Sequence, residues 1–322
     1  MERQYCLVHF WGWRGGCGHR MEELSAVLHA RGQVRRINTW RALVKCLLSG
    51  TFSDKNVVVL FYTSVLAPVI ILIRVLSRAK CCYMVRGDEF SYALQAKRPV
   101  RAVIALCLQE LCRVSRCEFV FVSKDLQVVF ERRLGILERK HLLPNTLGRR
   151  LPPTRRCDGK VGVVGDFETV KNIEWVIEHL SDGKYEVHLF GNQPVPDKWK
   201  RPWLTSHGVV DNLIKELNAV SVVVLSSTSE GFPNVLNDAL LAGCSCMIHD
   251  TFPFEYLPVH KSWRFTLGTT DGRGDARSRG SGELRAMIDA AIAEGRDFKA
   301  DNPELIAIIE SNWEEKVWRV FR

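Results

Sequence analysis

Short apolar runs alternate with helix-period stretches along most of this chain. Tyr5–Phe10, Gln33–Ile37, Val57–Tyr62, Cys82–Val85 and Phe119–Val122 each read as a strand. Runs that are apolar on both faces suit a parallel sheet covered by helices on both sides. Met21–Ala30 predicts a helix ended by Gly32, after a glycine-rich turn at Gly15–Gly18. The rhythm breaks at a basic, proline-containing stretch, Arg149–Arg156, and then restarts. Lys160–Gly165, Tyr185–Phe190, Ser221–Leu225 and Cys246–His249 predict strands. Asn172–Leu180, Leu213–Leu217, Asn234–Ala242, Glu283–Glu294 and Pro303–Phe321 predict helices. Residues 268–282, rich in Gly, Asp and Arg, read as a loop. A βαβ rhythm that runs twice predicts an α/β fold of two consecutive doubly wound domains.

Val57–Ile73 carries no charge over 17 residues, near the lower limit for a membrane span. Pro68 and Thr63–Ser64 interrupt it, so it predicts a buried strand, Val57–Tyr62, and then a helix, Ala67–Leu76. The amino terminus lacks a basic region followed by a long apolar core, so no secretory signal is expected.

Composition adds little, being 46% hydrophobic and 25% charged, as in ordinary globular chains. Charge distribution adds more. Residues 1–150 carry a net +14 and the remainder a net −5. A basic half beside a mildly acidic one suggests different partners for the two: an anionic membrane surface, a nucleic acid or an anionic acceptor for the first. Lys97–Leu108 mixes cations with aliphatics and reads either as a helix with a core face or as an interfacial helix. The 11 cysteines are odd in number and form no CxxC pair. They exclude a disulfide scaffold and a zinc ribbon, and point to reduced thiols in a cytosolic protein.

In open α/β sheets the loops that follow the strands carry ligands. Gly15 and Gly16 either let the backbone approach a ligand closely or make a tight βα turn. Their spacing is not GxGxxG. A more particular stretch is SSTSEGFPNVLNDALLAG, Ser226–Gly243. A strand runs into Glu-Gly-Phe-Pro, which opens a helix, and Pro233 suits a first helical turn. Amides near Asn234 and Val235 would hold phosphate oxygens there. Glu230 would project from the loop, and Asp238 would accept from a ribose hydroxyl.

That stretch resembles the EGFPNVLLEA signature of family-4 glycosyltransferases of the GT-B architecture, the group 1 type. Asp238 stands where the family carries its second Glu. GDFETVKNIEWVIEHL (Gly165–Leu180) is similar to the family's G-R-x-x-x-x-K-N segment, whose basic pair binds the donor diphosphate. Lys171 matches the Lys, and Asp166 takes the place of the Arg. Val187–Gly191, Leu143-Pro144-Asn145 and Ser311–Phe321 carry the resemblance over roughly the whole chain. Arg86 takes a position where many members have His, with a phosphate, Asp88 or Glu89 as its partner.

The resemblance implies two Rossmann-like domains facing across a cleft: an acceptor side at 1–147 and a donor side at 148–308, with a terminal helix at 309–322 crossing back. It implies a retaining transfer from a nucleotide-diphosphate sugar, without metal or cofactor. Glu230, Lys171 and Arg86 would be catalytic. Gly15, Gly16, Lys171, Gly191, Glu230, Gly231, Phe232, Pro233, Asn234, Val235 and Asp238 would bind the donor. The acceptor would be a glycan or a lipid-linked precursor of cell-surface polysaccharide or lipopolysaccharide. The protein would be cytoplasmic, lying on the inner face of the membrane through its basic domain. The basic half also admits transfer to nucleic acid bases. The departures at Asp166, Arg86 and Asp238 admit a nucleotide-sugar binder without transfer.

Overall fold

The structure, a computed structural model, describes residues 3–9, 15–77, 79–145, 159–168, 171–228, 233–249, 264–265, 276–294 and 313–321. The chain divides into two compact units, Met1–Thr146 with Asn312–Arg322, and Leu147–Ser311. The described residues of each build one six-stranded parallel sheet.

The first sheet contains β1 (Arg3–Val8), β2 (Gly32–Ile37), β3 (Val57–Phe61), β4 (Lys80–Val85), β5 (Glu118–Phe121) and β6 (Lys140–Leu142), in the order β2-β1-β3-β4-β5-β6. β3 reads VVVLF and is buried at every position, the pattern of a central strand covered on both faces. The strand order reverses between β1 and β3, so the ligand crevice of this unit is expected beyond the carboxyl ends of those two strands.

Helix α1 runs Gly15–His29. The expected turn at Gly15–Gly18 is therefore corrected: these glycines form the first turn of the helix. Met21, Leu24 and Leu28 are buried and anchor the helix on the sheet. That packing outweighs the poor helix propensity of glycine. Further along are α2 (Trp40–Leu48), α3 (Ala67–Leu76), α4 (Glu89–Gln95), α5 (Pro99–Val114) and α6 (Lys124–Leu134). The uncharged segment thus folds as strand and helix, and α3 has the expected bounds. Among the described residues no helix is long and apolar enough to cross a membrane.

The second sheet contains β7 (Lys160–Val164), β8 (Glu186–Phe190), β9 (Leu204–Gly208), β10 (Val222–Leu225), β11 (Ser245–His249) and β12 (Arg264–Phe265), in the order β12-β11-β10-β7-β8-β9. This is the dinucleotide-fold order, and its reversal lies between β7 and β10. The helices are α7 (Ile173–His179), α8 (Leu213–Leu217), α9 (Asn234–Leu241) and α10 (Ala276–Glu294). The loop expected at 268–282 is corrected in part, since α10 already begins at Ala276. The basic stretch Arg149–Arg156 lies outside the described residues.

The last helix, α11 (Trp313–Phe321), belongs to the first unit. Val317, Val320 and Phe321 are buried in its core beside residues of β1 and α1. Burial of a Phe side chain stabilises by roughly 1.5–3 kcal/mol. Arg3 donates to the Phe321 carbonyl at 3.1 Å and Lys80 to the Val320 carbonyl at 3.0 Å. Two cations thus satisfy carbonyls at the carboxyl end of the helix, where its dipole favours them.

Nine described cysteines are free thiols, and all but Cys107 are buried. Burial pushes the Cys6 and Cys81 thiols up to about 12, which leaves them inert as nucleophiles.

Candidate functional site

In the second unit, two loops flank the point where the strand order reverses. One follows β7. Gly165 has φ +147°, a conformation that favours glycine, and its amide donates to the Phe190 carbonyl at 2.8 Å. A Cβ on Gly191 would lie 2.1 Å from the Gly165 carbonyl oxygen, so the loops after β7 and β8 meet backbone to backbone. Asp166 secures this approach. Its Oδ1 accepts from the amides of Asn192 at 2.6 Å and Gln193 at 3.2 Å. Gln193 returns a bond through its Oε1, which accepts from the Phe167 amide at 3.1 Å. Asp166 is therefore a loop clamp in the place where the resemblance leads one to expect a cation.

The loop after β7 ends at Lys171, whose stem runs over Gly165: the Lys171 Cγ and Cδ lie 3.6 Å from the position of a Gly165 Cβ. Asn172 follows in the left-handed region, φ 52°, at the amino-cap position of α7 but without a capping bond from its side chain. The second loop follows β10. The buried Ser226 donates from Oγ to the Lys171 carbonyl at 2.7 Å. This bond ties the two loops together across the reversal point.

Pro233 stands at the amino cap of α9, with Asn234 and Val235 opening the helix. The Leu236 amide turns back to the Pro233 carbonyl at 3.0 Å. First-turn amides have no acceptor within their helix and are suited to an anion. Asp238 is half-buried one turn further along α9. Lys171, Gly191, Pro233, Asn234, Val235 and Asp238 thus all belong to the loops and helix around one reversal point. Glu230, Gly231 and Phe232 lie outside the described residues.

In the first unit, Arg86 follows β4. The expected partners Asp88 and Glu89 are corrected. Asp88 takes a bidentate pair from Arg133, at 2.8 Å and 2.5 Å, while Glu89 accepts from the Ser64 hydroxyl. Arg133 also lies over the Phe90 ring, 4.2 Å from its centroid. Burial raises the Asp88 carboxyl, but the bonds from Arg133 and Ser91 outweigh it and leave the group below its ordinary value.

Arg86 instead meets Asn145 Oδ1 at 3.3 Å and sits 6.0 Å from the Tyr62 ring centroid. The three residues line a small pocket with Glu23 and Trp313. Trp313 is held there by a bond from Nε1 to the Pro144 carbonyl at 2.8 Å. His9, just past β1, lies edge-on to Tyr62 at 6.0 Å. Burial first, and then the Arg86 charge, push its imidazole below the ordinary value. A neutral ring at physiological pH follows.

Sequence reasoning missed His9, Tyr62 and Trp313. A usable signal was present: His9, Tyr62 and Arg86 each immediately follow a strand of the parallel sheet. Gly15 and Gly16, in the first turn of α1, belong to the loop side of the same sheet end. Among the described residues no three of His, Cys, Asp and Glu converge as metal ligands.

Residues 158–258 match the family model described as Glycosyl transferases group 1. No curated protein matches the chain in sequence. Solved structures do match in fold. Sucrose-phosphate synthase from Thermosynechococcus elongatus has a TM-score of 0.76 at 14% identity, over 98% of this chain and 97% of that one. HepE from Anabaena, solved with UDP-glucose, has a TM-score of 0.74 at 14% identity, over 98% of each chain. TarM from S. aureus, solved as a variant with fondaparinux, alpha-GlcNAc-glycerol and UDP, has a TM-score of 0.61 at 12% identity over 87% of this chain. The present chain spans 59% of the TarM chain. The fold is that of the GT-B glycosyltransferases.

Proposed function

We propose that this GT-B chain, with its group 1 glycosyltransferase segment, moves a sugar from a nucleotide-diphosphate donor to a glycan or lipid-linked acceptor, with retention of anomeric configuration. The reading is supported by the two loops that carry Lys171 and lead towards α9, which leave neighbouring strands on either side of the sheet's reversal point. The Ser226–Lys171 bond joins these loops at the reversal point of a dinucleotide-order sheet.

The chemistry follows from charge. Breaking the bond between the anomeric carbon and the β-phosphate oxygen leaves added negative charge on the diphosphate. Lys171 and the first-turn amides of α9 offset that charge, in the manner of an oxyanion site. No bound metal is needed on this reading. Asp238 accepts from a ribose hydroxyl. Glu230 orients hydroxyls of the transferred sugar. The acceptor hydroxyl attacks the face the diphosphate leaves, and its proton passes to the departing phosphate oxygen. The Arg86 pocket of the first unit takes the acceptor side, with Asn145 and Tyr62 fixing the guanidinium.

Thermal shift against UDP, GDP, ADP, CMP and their sugar conjugates, with and without EDTA, tests the donor site. Ligand at about 100 times its dissociation constant stabilises by roughly 2.7 kcal/mol. One nucleoside diphosphate standing out, unaffected by EDTA, is the expected result. No shift with any of them refutes the donor site, and a shift abolished by EDTA refutes the metal-free reading.

A further inference from the structure

Helix α5 is apolar on two sides. Ala102, Ala105 and Cys112, with the polar Gln109 among them, are buried towards the unit. Val100, Val103, Ile104, Leu111 and Val114 are exposed, Val100 by 71% and Val114 by 66%. At about 3.6 residues per turn these five residues fall within an arc of roughly 100°, opposite the buried side, along about 21 Å of helix. Cys107 is exposed on the same arc. A continuous apolar stripe left exposed on a helix whose opposite side is already buried marks a surface made for a partner.

The neighbouring α3 repeats the pattern. Leu72, Val75 and Leu76 are exposed, Val75 by 75%, and α3 packs against α5.

Cations frame the face. Exposed Lys97 and Arg98 lie at the amino end of α5, Arg101 on its flank and Arg116 just past its carboxyl end. The acid nearest the stripe, Glu110, is paired with Arg113. A second copy of the chain is a poor occupant. Both ends of α5 are basic, so two such helices would face like charges whether they ran parallel or antiparallel.

We propose that the outward face of α5, with that of α3 beside it, docks on an anionic lipid bilayer. The aliphatic stripe enters the headgroup boundary and the flanking Lys and Arg meet lipid phosphates. This extends the transfer reaction by naming where the protein meets the membrane of a lipid-linked acceptor. It uses none of the residues assigned to transfer. Its test reads lipid binding alone, so either reading fails without the other.

The test is cosedimentation of the full chain with vesicles of phosphatidylcholine alone, or of phosphatidylcholine and phosphatidylglycerol in equal parts. One variant carries Val100→Ser, Ile104→Ser and Leu111→Ser. Another carries Arg98→Ala and Arg101→Ala. Every substituted side chain is exposed, so circular dichroism and melting should match the parent. Expected is binding to the phosphatidylglycerol vesicles only, weakened by salt. The arginine variant should lose about 5-fold per cation, about 30-fold in all. The serine variant should lose at least about tenfold. Equal binding to both vesicle types, no binding to either, or full binding by the folded variants overturns the proposal. A dimer in light scattering that the serine variant splits also overturns it, and assigns the face to a second copy.

Discussion

Asp166→Arg restores the cation that the family resemblance leads one to expect, and it should weaken the protein. Asp166 Oδ1 holds the amides of Asn192 and Gln193 at 2.6 and 3.2 Å. A hydrogen bond to a charged group contributes about 1.5–3 kcal/mol when protected from water. This carboxylate is half-buried, so the two bonds together are worth about 2 kcal/mol. In a unit of this size, each kcal/mol shifts the midpoint by about 2–4 °C, so the second unit should melt about 4–8 °C lower. Asp166→Asn keeps an acceptor oxygen and should lose roughly half as much. The new Arg carries only donors and cannot accept from either amide. Freed from the clamp, the loop after β8 drifts from Gly165, and donor affinity falls with it. Scanning calorimetry, with titration of the nucleoside diphosphate found by thermal shift, measures both. An Asp166→Arg protein that melts within a degree of the parent, or that transfers sugar faster, refutes the clamp.

Gly191→Ala forces its Cβ against backbone, not against a flexible side chain, and should cost about 1–3 kcal/mol in urea melts. Lys171→Ala should leave the fold intact and weaken nucleoside diphosphate binding at least about tenfold by calorimetric titration. The Asp88 carboxyl sits below its ordinary value in the folded protein. Its contribution is therefore complete above the unfolded value near pH 4 and is lost as pH falls through the lower, folded value. Asp88→Asn strands the mostly buried Arg133 charge. It should cost about 3–5 kcal/mol at pH 7 and flatten the acid loss, as urea melts at pH 7 and pH 3 will read.

Much of the fold was legible because apolar runs in a doubly covered parallel sheet have few other places to go. Val57–Phe61 and Ala67–Leu76 are examples: five buried residues in a row, then a helix opened by proline. The start of α1 was not legible. Glycines at 15 to 18 favour a turn locally, and only the anchoring of Met21, Leu24 and Leu28 on the sheet draws them into the helix. The loops of the second unit were read from their motif, but the role of Asp166 was not. Its partners are backbone amides 26 and 27 residues away, which leave no trace in side-chain identity. Asp88 misled in the opposite way. It lies two residues from Arg86, yet the tertiary partner Arg133, 45 residues on, takes it. The pocket around Arg86 needed the order of the strands, because Trp313 enters it from the far end of the chain.

Release of nucleoside diphosphate from a panel of nucleotide sugars, with a lipid extract as acceptor, tests the central claim most directly. The parent protein should release one nucleoside diphosphate in step with labelled sugar appearing in the lipid fraction. Glu230→Ala should be slower by well over about tenfold, consistent with loss of a group that acts on the reacting sugar, while melting as the parent does. No release from any donor, or full release by Glu230→Ala, would contradict the account.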